Sequence, residues 1–267
     1  MHPTLVSDSA TQLEPRARGS VVVCGSHGGL YPAWLAARAG VRAAIFNDAG
    51  IGRSAAGVGG VYWLGGLGIA ACAVDCQSAR IADGADMLAS GIVSTANDAA
   101  AALGCRPGQP VREAVAHLAH AHAPQGHAIP DIGETRASIA NAGHRPAWAL
   151  DSVALVEPRD ARAIVVSGSH AGLLGGKPDA VLATDVFAAF FNDAGGGKDG
   201  AGFARLAALD ERGIAAATVW NGSARIGDGR STYEDGTLSR VNATGERLGI
   251  AEGMTAREAV ARLLGLA

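Results

Sequence analysis

Apolar positions in this chain fall into short unbroken runs, each closed by glycine or polar turn residues. Residues 20–24 (SVVVC), 41–46 (VRAAIF) and 69–74 (IAACAV) are the first three such runs. Runs this short, rich in β-branched and small apolar residues, predict strands buried on both faces. Between the first two, residues 32–40 (PAWLAARAG) follow helical spacing and stop at Gly40, a helix-ending glycine. The pattern then predicts a loop and helix around 85–104 and a further helix over about 110–121.

The same pattern returns. VVVCGSHGGL at 21–30 reappears as IVVSGSHAGL at 164–173, and IFNDAGIG at 45–52 as FFNDAGGG at 190–197. CQSARIADG at 76–84 returns as NGSARIGDG at 221–229, and REAVAHL at 112–118 as REAVARL at 257–263. Gly91, Ser94 and Asn97 return as Gly236, Ser239 and Asn242. The offset is 143 at the first motif and 145 at all later ones, so the second copy gains two residues between its first two motifs. The period is too long, and the copies too few, for a solenoid.

The expected fold is therefore α/β. Two tandem Rossmann-like βαβαβ units arise by internal duplication, with parallel sheets covered by helices on both faces. The expected boundaries are an N-terminal tail over 1–18, the first unit over 19–122, a linker or lid over 123–160, and the second unit over 161–267. In open parallel sheets, ligands bind outside the carboxyl ends of the strands. The GSH, FND and SAR motifs all follow strands, so all should meet at one edge of each sheet.

Composition narrows the function. Net charge is -3, with no basic stripe for nucleic acid and no apolar run long enough to span a membrane. The N-terminus lacks the apolar stretch of a signal peptide. The four cysteines, Cys24, Cys72, Cys76 and Cys105, all lie in the first copy, so no disulfide belongs to the repeated framework. That pattern predicts a reducing, cytoplasmic setting. The glycine-rich, charge-poor stretch 55–68 predicts a homo-oligomer built through the first copy, whereas residues 201–213 (AGFARLAALDERG) predict a solvent-facing helix.

Candidate chemistry gathers at the strand ends. Ser26, His27 and Gly28, returning as Ser169 and His170, form a glycine-rich turn that can present N–H groups to an anion, with the histidines as acid–base groups. The competing reading is a tight turn with a serine cap. Asn47, Asn192 and Asp193 are candidate substrate-binding residues and Asp48 a candidate catalytic one; an aspartate here can bind a metal, orient a histidine, or simply cap the next turn. Arg80 and Arg225 suit a bidentate grip on a carboxylate or phosphate, or pair internally with Asp83 and Asp228. Cys76 breaks the repeat, since Asn221 replaces it, and is the candidate nucleophile with His27 as its base. Ser94 and Asn97 are polar ligands or caps. The histidines His117, His120, His122 and His127 invite a metal reading, but the second copy does not carry them. No cofactor is expected; the alternative is a divalent metal, held where Asp48 and Asp83 approach each other.

Two fragmentary resemblances bear on this. Ser26-His27-Gly28 followed by Asp75-Cys76 resembles the His–Cys arrangement of caspase-like cysteine peptidases, with one extra strand, the one ending in FNDAG, between them. GSHGGL with the Cys76 turn resembles the aspartate/glutamate racemase superfamily, which pairs two similar α/β halves and two facing thiols; here the second thiol position is Asn221. The expected activity is hydrolysis of a carbon–nitrogen, amide-like bond of a small polar or anionic substrate by Cys76 and His27. The alternatives are a cofactor-independent racemase or lyase and a non-catalytic small-anion-binding protein.

Overall fold

Two sheets, each covered on both faces, account for the repeated pattern. The computed structural model describes residues 3–13, 15–122, 128–142, 145–177 and 181–265. The first sheet holds β1 (Thr4–Ser7), β2 (Val21–His27), β3 (Ala43–Asn47), β4 (Ala70–Val74) and β5 (Val93–Ala96), in the order β1-β2-β3-β4-β5. The second holds β6 (Arg136–Ala142), β7 (Arg145–Leu150), β8 (Ile164–His170), β9 (Ala188–Asn192), β10 (Ala215–Val219) and β11 (Leu238–Val241), in the order β11-β10-β9-β8-β7-β6.

Both sheets are mixed, which corrects the expectation of parallel sheets. β1 to β4 and β7 to β10 run parallel, but β5 is antiparallel to β4, β11 to β10, and β6 to β7. The short strands β5 and β11 lie inside the stretches expected as loop and helix. Two apolar positions in each are too few to register as buried runs. Strand order is also sequential within each sheet. The Rossmann order reverses direction midway and opens a crevice there; these sheets have no such reversal. The crevice in this protein lies between the two sheets instead.

Strand alternation builds two cores per sheet. In the first, Val22, Ala44, Phe46 and Ala71 face α1 (Leu30–Ala39) and α2 (Gly59–Gly66). Val21, Val23, Ile45 and Cys72 face α3 (Gly84–Ser90), α4 (Asp98–Ala102) and α5 (Val111–Leu118). In the second sheet, Ile164, Val166 and Phe190 pack with α9 (Ala256–Leu264), while Val165, Ala189 and Phe191 pack with α6 (Arg205–Glu211). Helices α7 (Gly229–Asp235) and α8 (Ala243–Arg247) complete the chain. Helix α6 is not solvent-facing as its charges suggest: Arg205, Leu206, Ala208 and Leu209 are buried. No described helix is long and apolar enough to cross a membrane.

Segments read as tail and linker complete the repeat. β1 pairs with β2 through Thr4↔Val21, and β7 with β8 through Ala147↔Ile164, at the same offset of 143. Asp8-Ser9 therefore matches Asp151-Ser152. Asp8 accepts the Gly84 amide at 3.0 Å, and Asp151 accepts the Gly229 amide at 3.0 Å. Asn97 and Asn242 are likewise matched braces. Asn97 accepts from the Ala71 and Ala100 amides and donates to the Val61 and Ile69 carbonyls, joining α2, β4 and α4. Asn242 makes the same four kinds of bond.

The halves dock through the FNDAG loops, and the contacts exchange symmetrically. Arg53 donates its amide to the Asn221 carbonyl at 2.8 Å; Lys198, at the matched position, donates to the Cys76 carbonyl at 2.7 Å. Ala49, Ile81, Ala194, Ala201 and Ile226 form a small apolar cluster. Asn221 Nδ2 reaches the Ala49 and Gly50 carbonyls at 3.1 and 3.2 Å. Gly195, at φ +75°, leaves no room for a side chain: a Cβ there would lie 3.0 Å from Gly50 Cα and 3.2 Å from Cys76 Sγ.

Candidate functional site

The GSH motif is a bulge at the end of a buried strand. Between the pairs Val23↔Ile45 and His27↔Asn47, residues 24–26 stand opposite Phe46 alone. β8 repeats this between Val166↔Phe190 and His170↔Asn192. Such bulges re-aim the side chains that follow them. Here they turn His27 and His170 toward one another across the space between the sheets. Their ring centroids are 6.5 Å apart with an interplanar angle of 83°.

Local bonds fix the chemistry of each ring. His27 Nδ1 accepts the Gly29 amide at 3.1 Å, and His170 Nδ1 accepts the Gly172 amide at 3.1 Å. A neutral imidazole that accepts at Nδ1 carries its proton on Nε2. Both residues are 8% exposed. Burial pushes His27 down to about 4. Burial, then the charge of Arg205 and the nearby His27, push His170 well below its ordinary value. At neutral pH both rings are uncharged and each offers one Nε2–H donor.

The histidines line a cavity of about 720 Å³ between the sheets. Ser26 and Ser169 line it too, and their hydroxyl oxygens accept the Ala10 and Val153 amides at 2.9 and 3.0 Å, tying down the chain after β1 and β7. Leu30, Tyr31 and Leu35 of α1 form an apolar wall, with Glu134 beside Tyr31. Burial, then the Asp151 charge, hold the Glu134 carboxyl above its usual range.

Arg205 is the cavity's buried unbalanced charge; Arg230 also lines the cavity but is exposed. Arg205 is 4% exposed. Its Nε donates to the Gly172 carbonyl at 3.3 Å and its Nη1 to the Val181 carbonyl at 3.0 Å, with the guanidinium 5.2 Å from the Phe191 ring centre. Among the described residues no carboxylate pairs with it. Burial pulls it down to about 10, which leaves it cationic at neutral pH. The matched position in the first half is Gly60, where a Cβ would come within 2.5 Å of Ala33 Cβ. The site is therefore asymmetric.

Other expected site residues serve the frame. Asn47 accepts the Ala49 amide and donates to the Ala79 carbonyl; Asn192 does the same with Ala194 and Ala224. Asp48 accepts the Gly50 and Cys76 amides, and Asp193 those of Gly195 and Asn221, so each clasps the turn after the next strand. Gly28 gives its amide to the Asn47 carbonyl and lies where a Cβ would meet the Gly57 carbonyl at 2.9 Å. Arg80 pairs with Asp83, Asp86 and Asp199 at 3.1, 3.4 and 3.0 Å and is absent from the cavity lining. Arg225 lines the cavity but binds Asp228 through Nε and Nη2.

Cys76 and His27 are not brought together: no described contact joins them, and Cys76 does not line the cavity. The thiol is 3% exposed at the docking seam beside Gly195. Burial, then the charges of Asp48 and Asp75, push it up to about 12, away from a reactive thiolate. Asp48, Asp75 and Cys76 have ligand-type atoms within 4.8 Å of one another. Asp83 instead caps α3 by accepting the Asp86 amide. Among the described residues His117 of α5, His120 and His122 belong to no cluster of metal-ligating side chains, and His127 lies outside the described residues.

Sequence reasoning missed Arg205, which sits in an apparently exposed helix at a position where the copies differ. It also missed the Asp-Ser repeat at 8–9 and 151–152, which was visible as a matched pair. Comparison with family models, curated proteins and solved structures finds no match for this chain.

Proposed function

We propose that the cavity between the two sheets binds a small anionic molecule and transfers a proton on it, in the manner of a cofactor-independent lyase or racemase. The observation that carries this is the pairing of two opposed Nε2–H donors with a buried cation that no described carboxylate neutralises. Groups of this kind stabilise negative charge that grows on a bound oxygen, because they are pre-aimed and water-poor. Glu134 is the proton acceptor in this reading: it lines the same cavity, and burial holds its carboxyl above the usual range. We read the two halves as duplicated copies of one Rossmann-like unit, in which Arg205 makes one side the anion side.

A Cys76–His27 hydrolase lacks support, since the thiol is buried, held protonated and outside the cavity. A non-catalytic anion-binding protein is favoured by one specific observation: both histidines are donors, so neither can take a proton at Nε2. The test is exchange of the proton next to the carboxylate of small carboxylic acids in deuterated water, followed by NMR. Exchange should occur with the native protein and fall about 100-fold in Glu134→Gln. Binding without exchange selects the non-catalytic reading.

A further inference from the structure

The two halves contribute different walls to the cavity. Arg205 hydrogen-bonds to the loop that follows His170, through the Ala171 and Gly172 carbonyls. Leu30 and Tyr31 follow directly on the loop after His27. The two histidine rings are 6.5 Å apart, and Arg205 on the His170 side and Leu30, Tyr31 and Leu35 on the His27 side line the same cavity.

Glu134 stands beside Tyr31, next to the apolar wall. Asp228 is engaged by Arg225, and Asp151 by the Gly229 amide and by the Thr135 amide and hydroxyl. Arg205 has only carbonyls and a ring for partners among the described residues. A guanidinium held this way is geometrically and electrostatically incomplete, because its charge-assisted partner is a carboxylate.

From these observations we infer that Arg205 anchors the carboxylate of an apolar monocarboxylic acid, whose aliphatic or aromatic tail lies on Leu30, Tyr31 and Leu35. The first half cannot supply the same anchor, because Gly60 packs too closely against Gly29 and Ala33. The second half cannot supply the same wall, because no α-helix occupies the described residues between β8 and β9. The ligand thus binds in one direction across an otherwise two-fold frame. The inference rests on the anion-binding reading above and specifies its substrate class.

The test is calorimetric titration of the full chain at pH 7.5 with phenylacetate, its amide phenylacetamide, and succinate. Phenylacetate should bind, and the amide and the dicarboxylate should bind at least tenfold more weakly, as expected for loss of a charge-assisted contact or burial of a second charge. Arg205→Met should abolish the preference for phenylacetate over its amide. Should that variant fail to fold, Leu30→Asp, a change at a 45% exposed position, provides an independent probe. It should weaken phenylacetate at least tenfold. Equal binding of acid and amide, preference for succinate, or no binding by folded native protein would overturn the inference. Phenylacetate binding without proton exchange on any acid leaves the inference standing and removes the catalytic reading. Exchange confined to succinate does the reverse.

Discussion

His27 and His170 meet edge to face across the seam between the sheets, each with Nδ1 locked by the amide two residues on. This places two uncharged imidazoles where acidification must add charge to a buried space. His27 has a folded value of about 4 against an ordinary 6.5, so the unfolded chain binds more protons between those values. Stability is therefore complete above pH 6.5 and is lost as pH falls toward 4. Between pH 7.5 and 5.0 His27 should cost about 2 kcal/mol, and His170 should add to the loss in the same direction. Urea unfolding at the two pH values measures it. The drop should largely vanish in the His27→Gln, His170→Gln double variant.

Cys76 should behave as a structural thiol. Iodoacetamide at pH 7.5 should leave it unmodified in the native protein and label it after unfolding in urea, read by mass spectrometry. Burial and the carboxylates of Asp48 and Asp75 set this expectation by holding the thiol up to about 12. Fast native labelling would return Cys76 to the role of nucleophile.

Docking of the halves should depend on Asn221 and Gly195. Asn221→Ala removes both bonds to the Ala49 and Gly50 carbonyls and should destabilise by roughly 2 kcal/mol. Gly195→Ala forces a Cβ into the contact with Gly50 at a left-handed φ and should cost about 2 kcal/mol. Denaturant midpoints check both, and an unchanged midpoint would contradict the seam.

Asn97→Ala should lower stability by roughly 3 kcal/mol, since it strands four buried backbone groups. Ligand affinity of the folded fraction should not change, because Asn97 does not line the cavity. A loss of affinity at constant stability would show that the repeated asparagine belongs to the site.

The amino-acid pattern by itself established the strand runs ending in GSH and FNDAG, the repeat, and the gathering of its histidines at strand ends. These follow from local rules: unbroken apolar runs must be buried, and glycine-rich turns must follow them. The same local rules concealed β5 and β11, which are short and half-polar, and hid β1 in what reads as a tail. Which repeated residues brace the frame and which face the cavity was decided only in three dimensions. Asn47, Asp48 and Asn97 look like ligands in one dimension, yet each is consumed by backbone groups far along the chain. Arg205 looks like a surface charge, yet packing of α6 on β9 and β10 buries it beside His170. Burial and partner choice depend on what other segments bring to the same space, and that is a property of the folded chain rather than of any stretch of it.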